Sequence, residues 1–389
     1  MKVAIIHYWL IGMRGGERVV ERLLRLYPNA DIFTHVYDPS RVSAAIRTAN
    51  VRTTFIQKLP GAVRHYQKYL PFMPRALEGL DLSAYDLVIS SESGPAKGVI
   101  TRPDAVHICY CHSPMRYLWD QAPLYAKTGG FLARLAMDLF SHHLRIWDVT
   151  TALRVDRFVA NSSFVSQRIN KYYRRNADIV YPPVDVDAFK ISSEIAPHYL
   201  WLGQLTAYKR PDIAIEAFNQ LGLPLLVVGD GEMASKLRAL AKPNIQFRKN
   251  VPFAELKKIY ATARGLIFTA EEDFGIVPVE MMASGRPVLA YGRGGALDTV
   301  VEGVSGQFFN EQSVSSVVDA IRAFETWLPH FSPDAAKMTT ARFAPERFDE
   351  GILECVQNAR EDIPPSNPRS RVASQLSVRD SVTPITIVK

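Results

Sequence analysis

Two carboxylates eight positions apart, Glu272 and Glu280, bracket the run Asp-Phe-Gly-Ile-Val-Pro-Val. Between them the backbone amides of Phe274, Gly275 and Ile276 lead into a helix, and Gly275 has no side chain to keep a ligand off the main chain. Amides at a helix N-terminus, with the helix dipole behind them, suit an anion, whereas carboxylates accept hydrogen bonds from neutral hydroxyls. A ligand with both phosphates and many hydroxyls meets both demands. A nucleotide sugar is such a ligand.

The elements that position these groups can be read around them. Residues 265–269 form a short apolar run bounded by charge, the pattern of a strand buried on both faces. The acidic loop Glu271-Glu272-Asp273 follows. A short helix comes next, with Pro278 and Glu280 placed in its first turn and Gly285 just past its end. Residues 287–290 then read as another buried strand. In such a βαβ unit ligands bind at the carboxyl ends of the strands, against the helix N-terminus.

The same alternation runs through the whole chain. Residues 3–8, 32–36, 87–91, 106–111 and 157–161 read as buried strands of one doubly wound parallel α/β sheet. Residues 199–203, 225–229, 245–247, 265–269, 287–290 and 306–309 repeat the pattern in a second. A proline-stiffened crossing at 181–187 separates them. The spacing predicts domains over 1–184 and 185–344, a helix over 345–361 with Phe348, Ile352, Leu353 and Val356 on one side, and a polar, mobile tail over 362–389.

With these elements in place, Glu-Asp-Phe-Gly-Ile-Val-Pro-Val-Glu resembles the Glu-x7-Glu motif of family 4 of the retaining glycosyltransferases. That resemblance implies the GT-B fold: two Rossmann-like doubly wound α/β domains, an interdomain cleft, and a C-terminal helix crossing back onto the first domain. It also implies roles. Glu272 would hold hydroxyls of the transferred sugar, and Glu280 those of the ribose. Tyr-Cys-His-Ser-Pro-Met-Arg-Tyr is similar to the family segment whose histidine contacts that sugar, which makes His112 a second catalytic candidate. Gly203-Gln204-Leu205 through Lys209 resembles the diphosphate loop, with Lys209 at the motif lysine and Gln204 where an arginine is usual. Arg210, one residue on, would point elsewhere. Gly15-Gly16, in the first βα turn, matches a loop that faces donor phosphates and acceptor. Gly292-Arg293-Gly294-Gly295-Ala296 is similar to a segment of bacterial mannosyltransferases and tilts the donor toward GDP-mannose.

The expected activity is therefore retaining transfer of a hexose from a nucleotide diphosphate to a polyprenyl-diphosphate-linked or oligosaccharide acceptor in polysaccharide biosynthesis. A UDP-hexose transferase, a nucleotide-sugar epimerase and a silent nucleotide-sugar binder are the competing readings. Neither a cofactor nor a metal is expected: Asp185-Val186-Asp187 has the spacing of a metal-binding triplet but sits in the crossing, where it reads as turn chemistry.

Composition narrows the remaining classes. Cys109, Cys111 and Cys355 cannot build a disulfide framework and read as small core residues of a cytoplasmic protein. No run of about eighteen apolar residues spans a membrane. Residues 1–190 hold 25 Lys+Arg against 16 Asp+Glu, whereas residues 191–389 hold 21 against 23. That excess suggests an anionic partner for the first half, a pyrophosphate or the inner face of a membrane. Residues 58–77 and 131–147 mix cations with aromatic and aliphatic side chains in the manner of interfacial segments. No nucleic-acid-binding motif is present.

Overall fold

A computed structural model describes residues 1–122 and 131–362. It contains two parallel sheets. The first is built from β1 (Val3–His7), β2 (Asp31–Thr34), β3 (Asn50–Thr53), β4 (Leu87–Glu92), β5 (Val106–Cys111), β6 (Arg157–Ala160) and β7 (Ala177–Ile179), in the order β3-β2-β1-β4-β5-β6-β7. The second is built from β8 (Tyr199–Leu202), β9 (Leu225–Val228), β10 (Ile245–Arg248), β11 (Leu266–Phe268), β12 (Val288–Tyr291) and β13 (Gly306–Phe309), in the order β10-β9-β8-β11-β12-β13. Both sheets therefore reverse their winding next to their first strand, between β1 and β4 and between β8 and β11. A crevice opens at the carboxyl edge of such a switch point.

Every residue of β1, β4 and β5 is buried. Helices cover both faces of a parallel sheet, so its central strands read as continuous apolar runs. The edge strands β3 and β7 carry no such signal. Their sequences, Asn-Val-Arg-Thr and Ala-Asp-Ile, are polar and contain no buried residue, so no apolar run marks them as strands.

Six helices matter for the site: α1 (Gly15–Leu26), α2 (Phe131–Thr151), α3 (Ser163–Tyr173), α4 (Pro211–Leu221), α5 (Ile276–Ala283) and α6 (Pro345–Asp362). Phe348, Ile352, Cys355, Val356 and Ala359 of α6 join the core of the first domain, beside Ile5, Ile89 and Tyr110. At roughly 1.5–3 kcal/mol for each large apolar side chain buried, these contacts hold the helix there. Asp349 adds an ion pair by accepting from Arg22 Nη2 at 2.6 Å. Leu353 does not belong to that face; it is about half exposed, and Cys355 takes the place assigned to it. Five residues past Phe348 is well beyond one helical turn, so its side chain rotates out of the stripe.

The three cysteines are free and buried. Residues 58–77 fold into short helical turns with Met73, Ala76 and Leu77 inward and Phe72 outward. The tail assigned to 362–389 and the side chains of 131–139 lie outside what is described, apart from Asp362 at the end of α6.

Candidate active site

The Gly275 backbone carries the acidic loop into α5. It takes φ +93°, a left-handed conformation that costs glycine little and other residues much. The helix starts at Ile276, so Glu280 is its fifth residue and lies in the second turn, not the first as the sequence suggested. Phe274 turns its side chain away from the cleft, packing 5.8 Å from the Tyr181 ring and 5.5 Å from Phe343, centroid to centroid. Its amide is thus the part of Phe274 left for a ligand.

The glycine-rich segment after β12 shapes this loop from behind. Gly295 N–H donates to the Glu272 carbonyl at 2.8 Å. A Cβ on Gly295 would lie 2.3 Å from Phe274 Cα, so any side chain there would displace the acidic loop.

Opposite the loop, at the carboxyl end of β8, stands Lys209. Its Nζ lies 2.5 Å from Glu272 Oε1, and both side chains are mostly buried. Thr269 fixes the backbone here, its hydroxyl donating to the Lys209 carbonyl at 2.7 Å while accepting from Trp201 Nε1. Burial works against the ammonium, but Glu272 and Tyr208 outweigh it and hold Lys209 above the ordinary lysine value. A Cβ on Gly203 would come within 3.3 Å of Lys209 Nζ, so the bare backbone there makes room for the amine. Gln204 is exposed and is not brought into this group. Arg210 turns away, donating to Asp212 and to the Gln312 carbonyl.

The first domain supplies the other wall. Gly15 starts α1, and a Cβ there would lie 3.1 Å from Ile276 Cδ1, which brings the first βα turn against the N-terminus of α5. His112 follows β5, with Nε2 2.8 Å from Ser91 Oγ. Burial, reinforced by His7, holds its pKa down at about 3, so the ring is neutral at physiological pH.

Glu280 and two further acids of the second domain are met by first-domain partners that no local spacing announces. Arg18 Nη1 donates to Glu280 Oε1 at 3.0 Å, while the Tyr260 hydroxyl donates to Oε2 at 2.7 Å. Asp273 takes Arg168 Nη1 at 2.7 Å and is also ion-paired with Arg116. Asp298 accepts from the Ser163 amide and hydroxyl, at 3.0 and 2.8 Å, at the N-terminus of α3. Glu272 and Glu280 thus both hold a cation in this structure.

Asp185 and Asp187 lie at the crossing, in and beside a 3-10 turn. Among the described residues no group of three or more His, Cys, Asp or Glu side chains is gathered to hold a metal ion.

Comparison with known proteins converges on one family. The model described as Glycosyltransferase Family 4 matches residues 13–188, and the one described as Glycosyl transferases group 1 matches residues 187–327. An alpha-1,3/1,6-mannosyltransferase of Schizosaccharomyces pombe is 27% identical over 370 residues, covering 79% of this chain and 70% of that protein. A human GDP-Man:Man(3)GlcNAc(2)-PP-Dol alpha-1,2-mannosyltransferase is 29% identical over 237 residues, where the match covers 52% of this chain and 48% of that protein. Among solved structures, sucrose-phosphate synthase of Thermosynechococcus elongatus superposes with a TM-score of 0.68 at 14% identity, covering 92% of this chain and 99% of that one. A glycosyltransferase of Rickettsia africae gives 0.62 at 15% identity, over 93% and 99%.

Proposed function

The chain belongs to the family 4 glycosyltransferases of GT-B fold, and from that premise we propose that it moves mannose from GDP-mannose onto a lipid-linked oligosaccharide with retention of configuration. One observation carries the reaction class: Lys209 and Glu272 face each other at 2.5 Å, beside the Gly275 amide and the N-terminus of α5. A cation and open amides suit a departing diphosphate, and a carboxylate beside them suits sugar hydroxyls. The choice of mannose follows the mannosyltransferases that share most of the chain, and the choice of GDP-mannose and a lipid-linked acceptor follows the GDP-Man:Man(3)GlcNAc(2)-PP-Dol mannosyltransferases that share about half of it.

In the reaction the bond from the anomeric carbon to the diphosphate oxygen breaks. A bond from that carbon to the acceptor oxygen forms on the same face, and the acceptor proton passes to the departing diphosphate. Lys209 and the amides of Gly275 and Ile276 meet the charge that develops on the leaving group. Glu272 holds hydroxyls of the sugar, Glu280 those of the ribose, and His112 the far side of the sugar. Closure of the cleft excludes water that would otherwise hydrolyse the donor. With these groups bearing the leaving-group charge, no divalent cation is required.

Basic residues of the first domain and exposed Phe55, Phe72, Ile146 and Leu153 favour contact with an anionic membrane surface, where such an acceptor resides. No described helix is long and apolar enough to cross a membrane.

The test is a donor screen with radiolabelled GDP-mannose, UDP-glucose and UDP-galactose, each with a polyprenyl-diphosphate oligosaccharide and with EDTA present. Mannose entering the lipid fraction from GDP-mannose alone is the expected result. Transfer from a UDP-sugar would overturn the donor assignment, loss of activity in EDTA the metal independence, and free epimer without acceptor the reaction class.

A further inference from the structure

The register of the first sheet sets up an arrangement behind His112 that the donor site does not explain. His7 ends β1 and is the direct cross-strand partner of Ser91 on β4. Ser91 is in turn the partner of Tyr110 on β5, two residues before His112 and on the same side. His7, Ser91 and His112 are thus brought together at the carboxyl edge of three adjacent strands, at the switch point. Ser91 Oγ lies 3.0 Å from His7 Nδ1 and 2.8 Å from His112 Nε2. On its other side His7 Nε2 lies 3.8 Å from Glu17 Oε1 and has no hydrogen-bond partner among the described residues. Glu17 is held by the turn that precedes α1, its Oε2 accepting from the Arg14 amide at 2.9 Å. His7, Ser91 and Glu17 are all buried.

A serine hydroxyl carries one proton, so of the two imidazole nitrogens beside Ser91 one accepts and the other donates. With both rings neutral, two patterns satisfy that. In the first, His7 accepts at Nδ1 and carries its proton on Nε2, facing Glu17, while His112 donates from Nε2. In the second every bond is reversed, and the bare lone pair of His7 Nε2 faces a carboxylate. Burial opposes ionisation of Glu17, but the His7 ring and the Arg14 amide outweigh it and keep the group below the ordinary glutamate value. At 3.8 Å the contact is too long for a hydrogen bond, yet a buried anion at that range favours an N–H over a lone pair. The first pattern prevails.

We infer that Glu17 is a positioning residue, acting through His7 and Ser91 to hold His112 as the Nε2–H tautomer and to leave its Nδ1 as a hydrogen-bond acceptor for a sugar hydroxyl. The last clause rests on the transferase reading above; the relay itself does not. Gly16 lets the first turn pack closely against these rings, since a Cβ there would lie 2.6 Å from the Tyr8 hydroxyl, 3.3 Å from His7 Cε1 and 3.6 Å from His112 Nε2. The device lets a carboxylate two side chains away choose whether the neutral His112 accepts or donates.

Glu17→Gln tests it. The glutamine oxygen can still accept from the Arg14 amide, so the helix start is preserved and the thermal midpoint should not move. Its amide now donates toward His7 Nε2, which reverses each bond and puts the His112 proton on Nδ1. Long-range nitrogen–proton correlation on histidine-labelled, ligand-free protein reads the tautomer, with the His112 signal identified by its loss in His112→Gln. The expected result is Nε2–H in the parent protein and Nδ1–H in E17Q, with transfer kcat reduced roughly tenfold, the scale of one misdirected polar contact, and donor KM little changed. Ser91→Ala cuts the relay, so E17Q should cause no additional loss in that background. An unchanged His112 tautomer in E17Q, or losses that multiply in the double variant, would overturn the inference. A protein that transfers no sugar yet shows the swap retains the relay and loses the functional reading; active protein without the swap does the opposite.

Discussion

Lys209→Met is expected to lower transfer by about 10²–10³-fold, the loss seen when one preorganised donor to a developing negative charge is removed. Methionine fills nearly the same space against Gly203 and Trp201, so the change isolates the charge. The ammonium neutralises Glu272 at 2.5 Å, and in the proposed mechanism it turns to the diphosphate once donor is bound. Removing it therefore weakens donor binding and, more strongly, the step in which charge accumulates on the leaving group, so kcat falls further than KM rises. A double variant separates catalysis from packing. If the pair served only to neutralise two buried charges, Lys209→Met with Glu272→Gln would recover the activity of the parent. On the catalytic reading the double variant is no better than either single one, because phosphate cation and sugar-hydroxyl acceptor are both gone. Recovery of turnover in the double variant, with initial rates at saturating donor, would refute the assignment of Lys209.

The contrast between Lys209 and Arg18 explains how far the sequence could be read. Glu272 and Gly275 belong to a strand-to-helix transition whose spacing is local, so a strand period and a capping pattern place them on the sheet edge, whereas Lys209 is placed by the resemblance of its loop to the family's. The two-domain α/β fold was legible for the same reason: central strands such as Val-Ala-Ile-Ile-His and Leu-Leu-Val-Val are unbroken apolar runs. Where burial is one-sided the signal fades, as in β3 and β7. The partners of the acids were not legible at all. Arg18 is 262 residues from Glu280, and Arg168 is 105 from Asp273. Nothing in either neighbourhood marks which charges will meet once the cleft is formed. His7 and Ser91 were missed differently. They read as ordinary strand residues, and only the register of β1 against β4 makes them neighbours.

Lys97→Met is expected to cost about 3–5 kcal/mol of stability, the penalty for leaving buried charge without its counterion. Lys97, Glu92 and Asp148 are all fully buried, just behind the sheet edge that carries Ser91. Nζ lies 3.3 Å from Glu92 and is also ion-paired with Asp148. The remaining oxygens are occupied: Glu92 Oε2 accepts from the amides of Ala96 and Lys97, and Asp148 Oδ2 from the Tyr173 hydroxyl at 2.9 Å and Trp119 Nε1 at 2.8 Å. Burial alone would discharge the lysine, but the two carboxylates outweigh it and hold Lys97 above its ordinary value. Burial already raises Glu92 even with the cation in place. Without the Lys97 ammonium that pressure is opposed only by the two amides, and a buried carboxyl in the folded variant stays protonated to a higher pH than in the unfolded chain. A group with a raised folded-state value contributes stability below its unfolded value and loses it as pH rises through the folded one. The penalty of Lys97→Met should therefore be smaller at pH 5 than at pH 8, measured as the difference in urea midpoint between variant and parent at each pH. A penalty that is constant across that range would show that the cost of the substitution is lost packing around the lysine stem and not the stranded carboxylates.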